Sequence, residues 1–199
     1  MLSAPISPVP AFKQLCIETP KYSLNYFPSH LLSNSAECLE KLQISLTSED
    51  LIENVFCFQN IHDLRITVMT IPETWALNKL RTLQLRLIPD FDLNKLLPIF
   101  KLNRNLMILS LSGFNLTATD DFIEQLSKFL PELRVLVIET QLSFITDASV
   151  PHLLRLNKLE QLQVCVPKVT DTALVHLLNT APSLQVLQLR SRFKMATKA

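Results

Sequence analysis

The sequence contains a single glycine, Gly113, among its 199 residues. Phosphate-binding loops need several glycines where the backbone approaches the ligand, so a Gly-rich nucleotide cradle is excluded. Turns are then expected at proline, asparagine, serine and aspartate. The chain also lacks any apolar run of about 18 residues, the length required to span a bilayer. Nucleotide-dependent chemistry and a transmembrane helix are therefore not expected.

The chain has little net charge and few cysteines. Its formal charge is +1, with no charge run and no basic tail, so no nucleic-acid or membrane partner is predicted. The cysteines (Cys16, Cys38, Cys57 and Cys165) stand far apart without a C-x-x-C pair, which favours reduced, mostly packed thiols. The Pro-rich segment 1–10 resembles neither a signal peptide nor a transit peptide. The predicted location is the cytoplasm, with the nucleus as the alternative.

What the chain does contain is an internal repeat. Ile145–Val164 reads ITDASVPHLLRLNKLEQLQV, and Val169–Leu189 reads VTDTALVHLLNTAPSLQVLQL. Each copy has a Thr-Asp pair, an apolar helical pattern ending in two leucines, a break, and L-x-x-L-x-V/L. A weaker copy starts at Thr119 and Asp120. Self-similarity at this period is typical of a repeat architecture.

The L-x-x-L-x-L signature can be followed through the whole sequence at intervals of 19–27 residues. This spacing is that of leucine-rich repeats, at about 20–29 residues. The last two apolar positions lie two residues apart and therefore share one face of a strand, while the intervening residues face outward. We predict eight short parallel strands within Phe12–Ile17, Leu39–Ile44, Ile61–Ile66, Leu80–Leu85, Leu106–Leu111, Leu133–Ile138, Leu159–Val164 and Leu184–Leu189.

The longer intervals between strands leave room for a helix of about three turns. Threonine or aspartate at the start can cap the free N–H groups, and Pro131 and Pro182 end two of the helices. The shortest interval, around Ile71–Asn78, predicts a single turn or an extended segment. Helices are predicted at Ser48–Phe58, Leu93–Leu102, Asp120–Leu130, Asp147–Leu156 and Asp171–Thr180.

These motifs resemble the cysteine-containing type of leucine-rich repeat, found in F-box/LRR proteins and similar to ribonuclease inhibitor. Ile145-Thr146-Asp147 and Val169-Thr170-Asp171 fit the I-T-D of that repeat, although its cysteine positions are occupied by Ala36, Leu130, Pro167 and Ala181. The resemblance implies an α/β solenoid, a right-handed arc with a concave parallel sheet of about eight strands and helices or turns on the convex side. The F-box opening L-P-x-E is not recognisable. The predicted domains are a loose N-terminus (1–10), the repeat domain (11–190) and a tail (191–199), which offers no obvious polar cap for the last repeat.

These features leave three functions open. The favoured one is a non-enzymatic module that binds a protein partner on its concave surface. The alternative, implied by the resemblance, is the substrate-recruiting portion of an SCF-type ubiquitin ligase with Skp or cullin components as partners. A hydrolytic or nucleotide-dependent activity is remote, because no catalytic constellation occurs, and no cofactor or metal is predicted.

The candidate binding residues are the outward-facing strand positions. Arg65 and Arg86 are the predicted charged anchors, since arginine is enriched at interface hot spots. Val137 adds an apolar contact near the middle. The full predicted set is Gln43, Arg65, Gln84, Arg86, Val137, Glu139, Gln163 and Gln188.

Three further patterns have simpler explanations. His152 and His176 occupy matching helix positions, but no third metal ligand is evident, so a shared polar position is favoured over a metal site. Leu93–Leu97 and Leu174–Leu178 match the L-x-x-L-L partner-helix motif, yet core packing is expected for both. Helix capping is expected for the aspartates in the segments that connect one strand to the next, here called returns. These aspartates are Asp120, Asp147 and Asp171.

Overall fold

The protein is an α/β structure built on one long parallel sheet. A computed structural model describes residues 12–17, 35, 37–45, 58–68, 77–87, 90–140 and 142–190. Its strands are β1 Gln14–Ile17, β2 Lys41–Ser45, β3 Asp63–Val68, β4 Thr82–Leu87, β5 Ile108–Gly113, β6 Thr117–Thr119, β7 Val135–Glu139, β8 Leu142–Phe144, β9 Gln161–Cys165 and β10 Val186–Arg190. The main sheet runs β1-β2-β3-β4-β5-β7-β9-β10, and β6 pairs with β8 in a separate two-stranded sheet. All eight signature segments thus form the predicted parallel strands.

The strands pair in a single register. The fourth residue of every signature segment is paired with the fourth residue of the next segment. This row consists of Leu15, Leu42, Leu64, Leu83, Leu109, Leu136, Leu162 and Leu187. Because side chains alternate along a strand, the residue two positions later lies on the same face. Aligning the repeats in the sequence therefore predicts the register of the sheet.

The returns between strands are helical in the second half of the chain. The helices are α1 Leu97–Leu102, α2 Asp120–Phe129, α3 Val150–Arg155 and α4 Asp171–Thr180. Leu93–Leu96 and Asp147–Ser149 are single 3₁₀ turns that lead into α1 and α3. The predictions for α2 and α4 are confirmed to within one residue. The predicted helix Ser48–Phe58, except for its last residue, and most of the return Ile71–Asn78 lie outside the described residues.

The predicted continuous helices over 93–102 and 147–156 are wrong in their first turn. Pro98 and Pro151 lie in the first turn of α1 and α3. Proline has no N–H, so it cannot donate the bond that would extend the α-helix backward. The preceding residues instead close i→i+3 bonds, from Leu97 N to Asn94 O and from Val150 N to Asp147 O.

One face of the main sheet and the helices enclose a continuous apolar core. Leu64, Leu83, Leu109 and Leu136 are fully buried on the strands. The helices contribute aromatic and aliphatic side chains to the same cluster, including Phe100, Phe122, Ile123 and Leu126. On β10, Leu187 and Leu189 are only half-buried, because no further strand is paired with β10 among the described residues.

The low glycine content is reflected in the turns. Asp90 and Asn115 have the only positive φ angles among the described residues, 66° and 56°. Short polar side chains tolerate this conformation, as expected from the sequence. Gly113 is needed for a different reason. A Cβ at this position would lie 2.3 Å from the Leu87 carbonyl oxygen of the adjacent strand, so the close approach of β4 and β5 depends on it.

The threonines of the Thr-Asp pairs cap the helical returns, as predicted. Thr119 Oγ1 accepts from Phe122 N at 3.2 Å. Thr146 Oγ1 accepts from Ala148 N at 3.3 Å, and Thr170 Oγ1 accepts from Ala173 N at the same distance. Each threonine satisfies one N–H group that the first helical turn leaves free.

The aspartates of these pairs do not cap their own helices, which corrects the prediction. Asp120 accepts hydrogen bonds from Thr146 N at 2.9 Å, from Thr146 Oγ1 at 2.6 Å and from the Ser149 hydroxyl. Asp147 accepts from Thr170 N at 2.7 Å and Thr170 Oγ1 at 2.8 Å. Asp120 and Asp147 therefore each fix the Thr-Asp turn of the following return. The bonds join successive repeats in a side-chain ladder on the helical side of the sheet.

Asp120→Asn is expected to lower the free energy of unfolding by about 1–3 kcal/mol at neutral pH. The asparagine amide cannot accept all three bonds from Thr146 and Ser149. Burial raises the pKa of Asp120, but the bonds from Ser149 and Thr146 outweigh it and hold the pKa below the ordinary value of an aspartate. Because the pKa of Asp120 is lower in the folded than in the unfolded state, the ionised carboxylate stabilises the fold at pH values above the unfolded-state pKa. This stabilisation is lost as the pH falls through the folded-state pKa.

The measurement is urea unfolding of both proteins at pH 7 and at a series of lower pH values that continues well below the ordinary pKa of an aspartate. The control is Asp121→Asn, since Asp121 is exposed on the same helical turn and should change stability by less than about 0.5 kcal/mol. A difference between wild type and Asp120→Asn that persists undiminished in acid would contradict the assignment.

Candidate protein-binding face of the sheet

The face of the main sheet opposite the core is here called the open face. It carries three rows of side chains, and the row formed by the first residue of each strand contains none of the predicted binding residues. The middle row follows the buried leucine row by one residue and the rim row by three, at the carboxyl ends of the strands. The middle row is Cys16, Gln43, Arg65, Gln84, Ser110, Val137, Gln163 and Gln188. The rim row is Thr67, Arg86, Ser112, Glu139, Cys165 and Arg190.

All eight predicted binding residues belong to the open face. Gln43, Arg65 and Gln84 are register partners on β2, β3 and β4. Val137, Gln163 and Gln188 are partners on β7, β9 and β10. Arg86 and Glu139 lie in the rim row with Ser112 between them. The structure brings the set onto one surface but divides the middle row into two groups separated by Ser110.

The two predicted arginine anchors differ in their surroundings. Arg65 donates to both carboxylate oxygens of Asp63, two residues earlier on the same strand, at 3.3 and 3.4 Å. Arg86 is exposed and has no ion pair or side-chain hydrogen bond with any described residue. Both line a shallow groove of about 240 Å³ between β2 and β5. Arg86 is therefore the arginine whose charge is available to a partner.

Glu139 is already engaged within the protein. Its Oε1 atom accepts from the Gln163 amide at 2.7 Å and lies 3.3 Å from Arg190 Nη2. Because β9 lies between β7 and β10, the Glu139–Arg190 pair spans the strand that carries Gln163 and Cys165. Gln163 is only 9% exposed and Cys165 6%. Gln163 was predicted to face a partner, but the structure shows that it is mostly covered and supports Glu139.

Another groove on the open face, here called the rim groove, follows the rim row. It measures about 490 Å³ and is lined by Arg86, Ser112, Phe114, Glu139, Cys165 and Arg190, among others. Phe114, in the turn after β5, is 61% exposed. Alternation along the strands predicts that Ser112 and Arg190 face outward, but neither belongs to the predicted binding set, and Phe114 was not predicted at all. The available signal was a large apolar residue three positions after the end of a signature segment.

The three cysteines that the structure describes are free thiols and differ in burial. Cys165 is buried, as expected for a packed thiol, Cys38 is half-buried, and Cys16 is exposed. Cys57 lies outside the described residues. Among the residues that the structure describes, no group of three or more histidine, cysteine, aspartate or glutamate side chains could hold a metal ion.

The two histidines at matching helix positions have different environments. The His176 ring lies 3.3 Å from Thr180 Oγ1, whereas His152 Nδ1 is buried without a hydrogen bond to any described residue.

In the first L-x-x-L-L segment, Leu93 and Leu96 are buried as expected. In the second, Leu178 is 54% exposed, so the core-packing prediction is wrong for that residue. Leu178 is exposed because α4 has no helix beyond it among the described residues.

The open face is suited to recognition of a surface. Eight strands at about 4.8 Å extend over roughly 35 Å, enough for an interface of about 800 Å² per partner.

No helix in the described part of the chain has both the length and the apolar composition required to cross a membrane. No protein-family model matches the sequence, and no curated protein matches it at a significant level.

Proposed function

We propose that the chain is a leucine-rich-repeat solenoid that acts as a non-enzymatic protein-interaction module and binds a protein partner on the open face. In such a solenoid this face is the concave side of an arc. The observation that carries the proposal is the register of the sheet. Eight signature segments pair in chain order at one position, so their polar residues form continuous rows on one side.

The stacked repeats provide a preorganised surface. Each interior strand is fixed by its two neighbours and by the core, so few backbone motions have to be frozen when a partner binds. Affinity then comes from shape and from a few anchors. Arg86 supplies an unpaired positive charge, and Val137 supplies an apolar contact in the middle row.

Changing Arg65 and Arg86 together to glutamate is expected to reduce capture of the partner by at least about tenfold, because two favourable charges become repulsive. The measurement is affinity purification of the tagged 199-residue chain from a cell lysate, followed by quantitative mass spectrometry. A matched control changes Arg104 and Arg155 to glutamate. Both are exposed, Arg104 in the turn after α1 and Arg155 at the end of α3, away from the open face.

Proteins retained by the control and lost by the open-face variant are the expected partners. Equal retention by both variants, with unchanged thermal unfolding, would remove the open face as the binding surface. Recovery of a Skp-type adaptor or a cullin with the wild-type chain would favour the alternative of a substrate-recruiting part of a ubiquitin ligase.

A further inference from the structure

The rim groove carries an uncompensated positive charge. Among the described residues, the charged ones that line it are Arg86, Glu139 and Arg190. Arg190 is paired with Glu139 at 3.3 Å, which leaves Arg86 as the unneutralised group. Its guanidinium presents a planar fork of donors that fits an oxyanion in a bidentate arrangement.

A second donor lies beside Arg86 in the groove. Ser112 is the register partner of Arg86 on one side and of Glu139 on the other. Its hydroxyl can donate to a ligand that approaches Arg86. The charged fork and the hydroxyl together point toward an acceptor group with two oxygens, and the volume of about 490 Å³ lies within the usual range for ligand clefts.

The groove also offers an apolar contact, which is supplied by Phe114. Its ring is 61% exposed where the chain turns after β5. Exposed aromatics next to arginine are typical of interface hot spots. A peptide that places an acidic side chain at Arg86 can place an apolar neighbour against this ring.

Building on the proposed function, we infer that the rim groove binds an extended segment of the protein partner through one aspartate or glutamate side chain, held by Arg86 and Ser112 beside Phe114. A carboxylate is favoured over a phosphate because of Glu139. A phosphate group carries a charge of about −1.5 to −2 and would lie close to this carboxylate. A single negative charge matches the one unneutralised arginine.

The test uses three pentapeptides and the complete 199-residue chain. The first is acetyl-Ala-Leu-Glu-Leu-Ala-amide, and the others replace its glutamate with glutamine or phosphoserine. Each peptide is titrated into the protein and binding is followed by NMR. Binding should shift the signals of the backbone amides of Ser112, Gly113 and Phe114. The glutamate peptide should bind about tenfold more tightly than the glutamine peptide, because a charge-assisted bond is lost.

Variants of the protein should change the affinity in opposite directions. Arg86→Gln should weaken the glutamate peptide about tenfold, whereas Glu139→Gln should strengthen it about threefold by removing a repulsive charge and releasing Arg190. Arg155→Gln removes the same charge from α3 and should leave the affinity within about twofold. Thermal unfolding of each variant verifies that it is folded.

Several results would overturn the inference. These are no binding of the glutamate peptide at about 10 mM, equal binding of the glutamate and glutamine peptides, tighter binding of the phosphoserine peptide, or equal effects of Arg86→Gln and Arg155→Gln. If the peptides fail while lysate capture still depends on Arg65 and Arg86, the carboxylate site is wrong and the proposed function stands. If capture is insensitive to these arginines, the proposed function fails irrespective of the peptides.

Discussion

Asn103→Ala is expected to lower the free energy of unfolding by about 3 kcal/mol, because it leaves two buried backbone groups without partners. Asn103 is 2% exposed at the end of α1. Its Nδ2 donates to the carbonyl oxygens of Leu77 at 2.8 Å and Ile99 at 2.9 Å, and its Oδ1 accepts from Leu80 N at 2.9 Å. Ile99 O keeps a second bond, from Asn103 N, after the substitution. Leu77 O and Leu80 N have no other hydrogen bond within the described part of the chain.

Two further variants separate hydrogen bonding from packing. Asn103→Leu fills the site with the residue type found at the matching positions 130 and 156, yet it cannot bond to Leu77 or Leu80. It should destabilise the protein nearly as much as Asn103→Ala. Asn105→Ala, at an exposed position two residues away, should change stability by less than about 0.5 kcal/mol. The measurement is urea unfolding, and a stable Asn103→Leu protein would show that the bonds contribute little.

The sheet could be predicted from the sequence because one rule repeats eight times. Every signature segment places leucine, isoleucine or valine two residues apart, and adjacent segments must bury these residues on the same side. The register of Leu15 with Leu42, and of each later pair in the row, follows from that requirement. The returns are less regular, and there the positions of Pro98 and Pro151 set the type of helix.

Contacts between side chains of different repeats could not be predicted in the same way. Asp120 has the sequence context of a helix cap, and its bonds to Thr146 appear only when two returns lie side by side. Asn103 has the same property, since Leu77 and Leu80 belong to the preceding repeat. In both cases the signal in the sequence is a polar residue whose partner lies one repeat away.

The rows of the open face were predictable, but the state of each residue in them was not. Periodicity places Arg65, Arg86 and Gln163 outward without indicating which of them is engaged. Arg65 has Asp63 on its own strand, and Gln163 lies beneath the pair formed by Glu139 and Arg190. Those pairings depend on the spacing of neighbouring strands and on side-chain length. Among the described residues of the open face, these pairings leave Arg86 without an ion pair, which is why the two proposals concerning this face depend most strongly on that residue.

Leu109→Ala is expected to have the largest effect on stability, lowering the free energy of unfolding by about 3–4 kcal/mol. Leu109 is fully buried on β5, in the interior of the main sheet. Its register partners Leu83 and Leu136 are held by their own strands and cannot move into the space that the substitution creates. The cost therefore includes the cavity as well as the lost burial of the side chain.

The matched control is Leu187→Ala, the same substitution at the same position of the signature in β10. Leu187 is half-buried, so it loses less burial, and solvent can reach the space it leaves. We expect a loss of about 1 kcal/mol, in proportion to the smaller apolar area removed from the interior. Urea unfolding of the two variants under identical conditions provides the comparison. Equal losses would mean that the leucine row is not one continuous core, whereas a two- to fourfold difference would show that burial deepens from the edge strand toward the interior of the sheet.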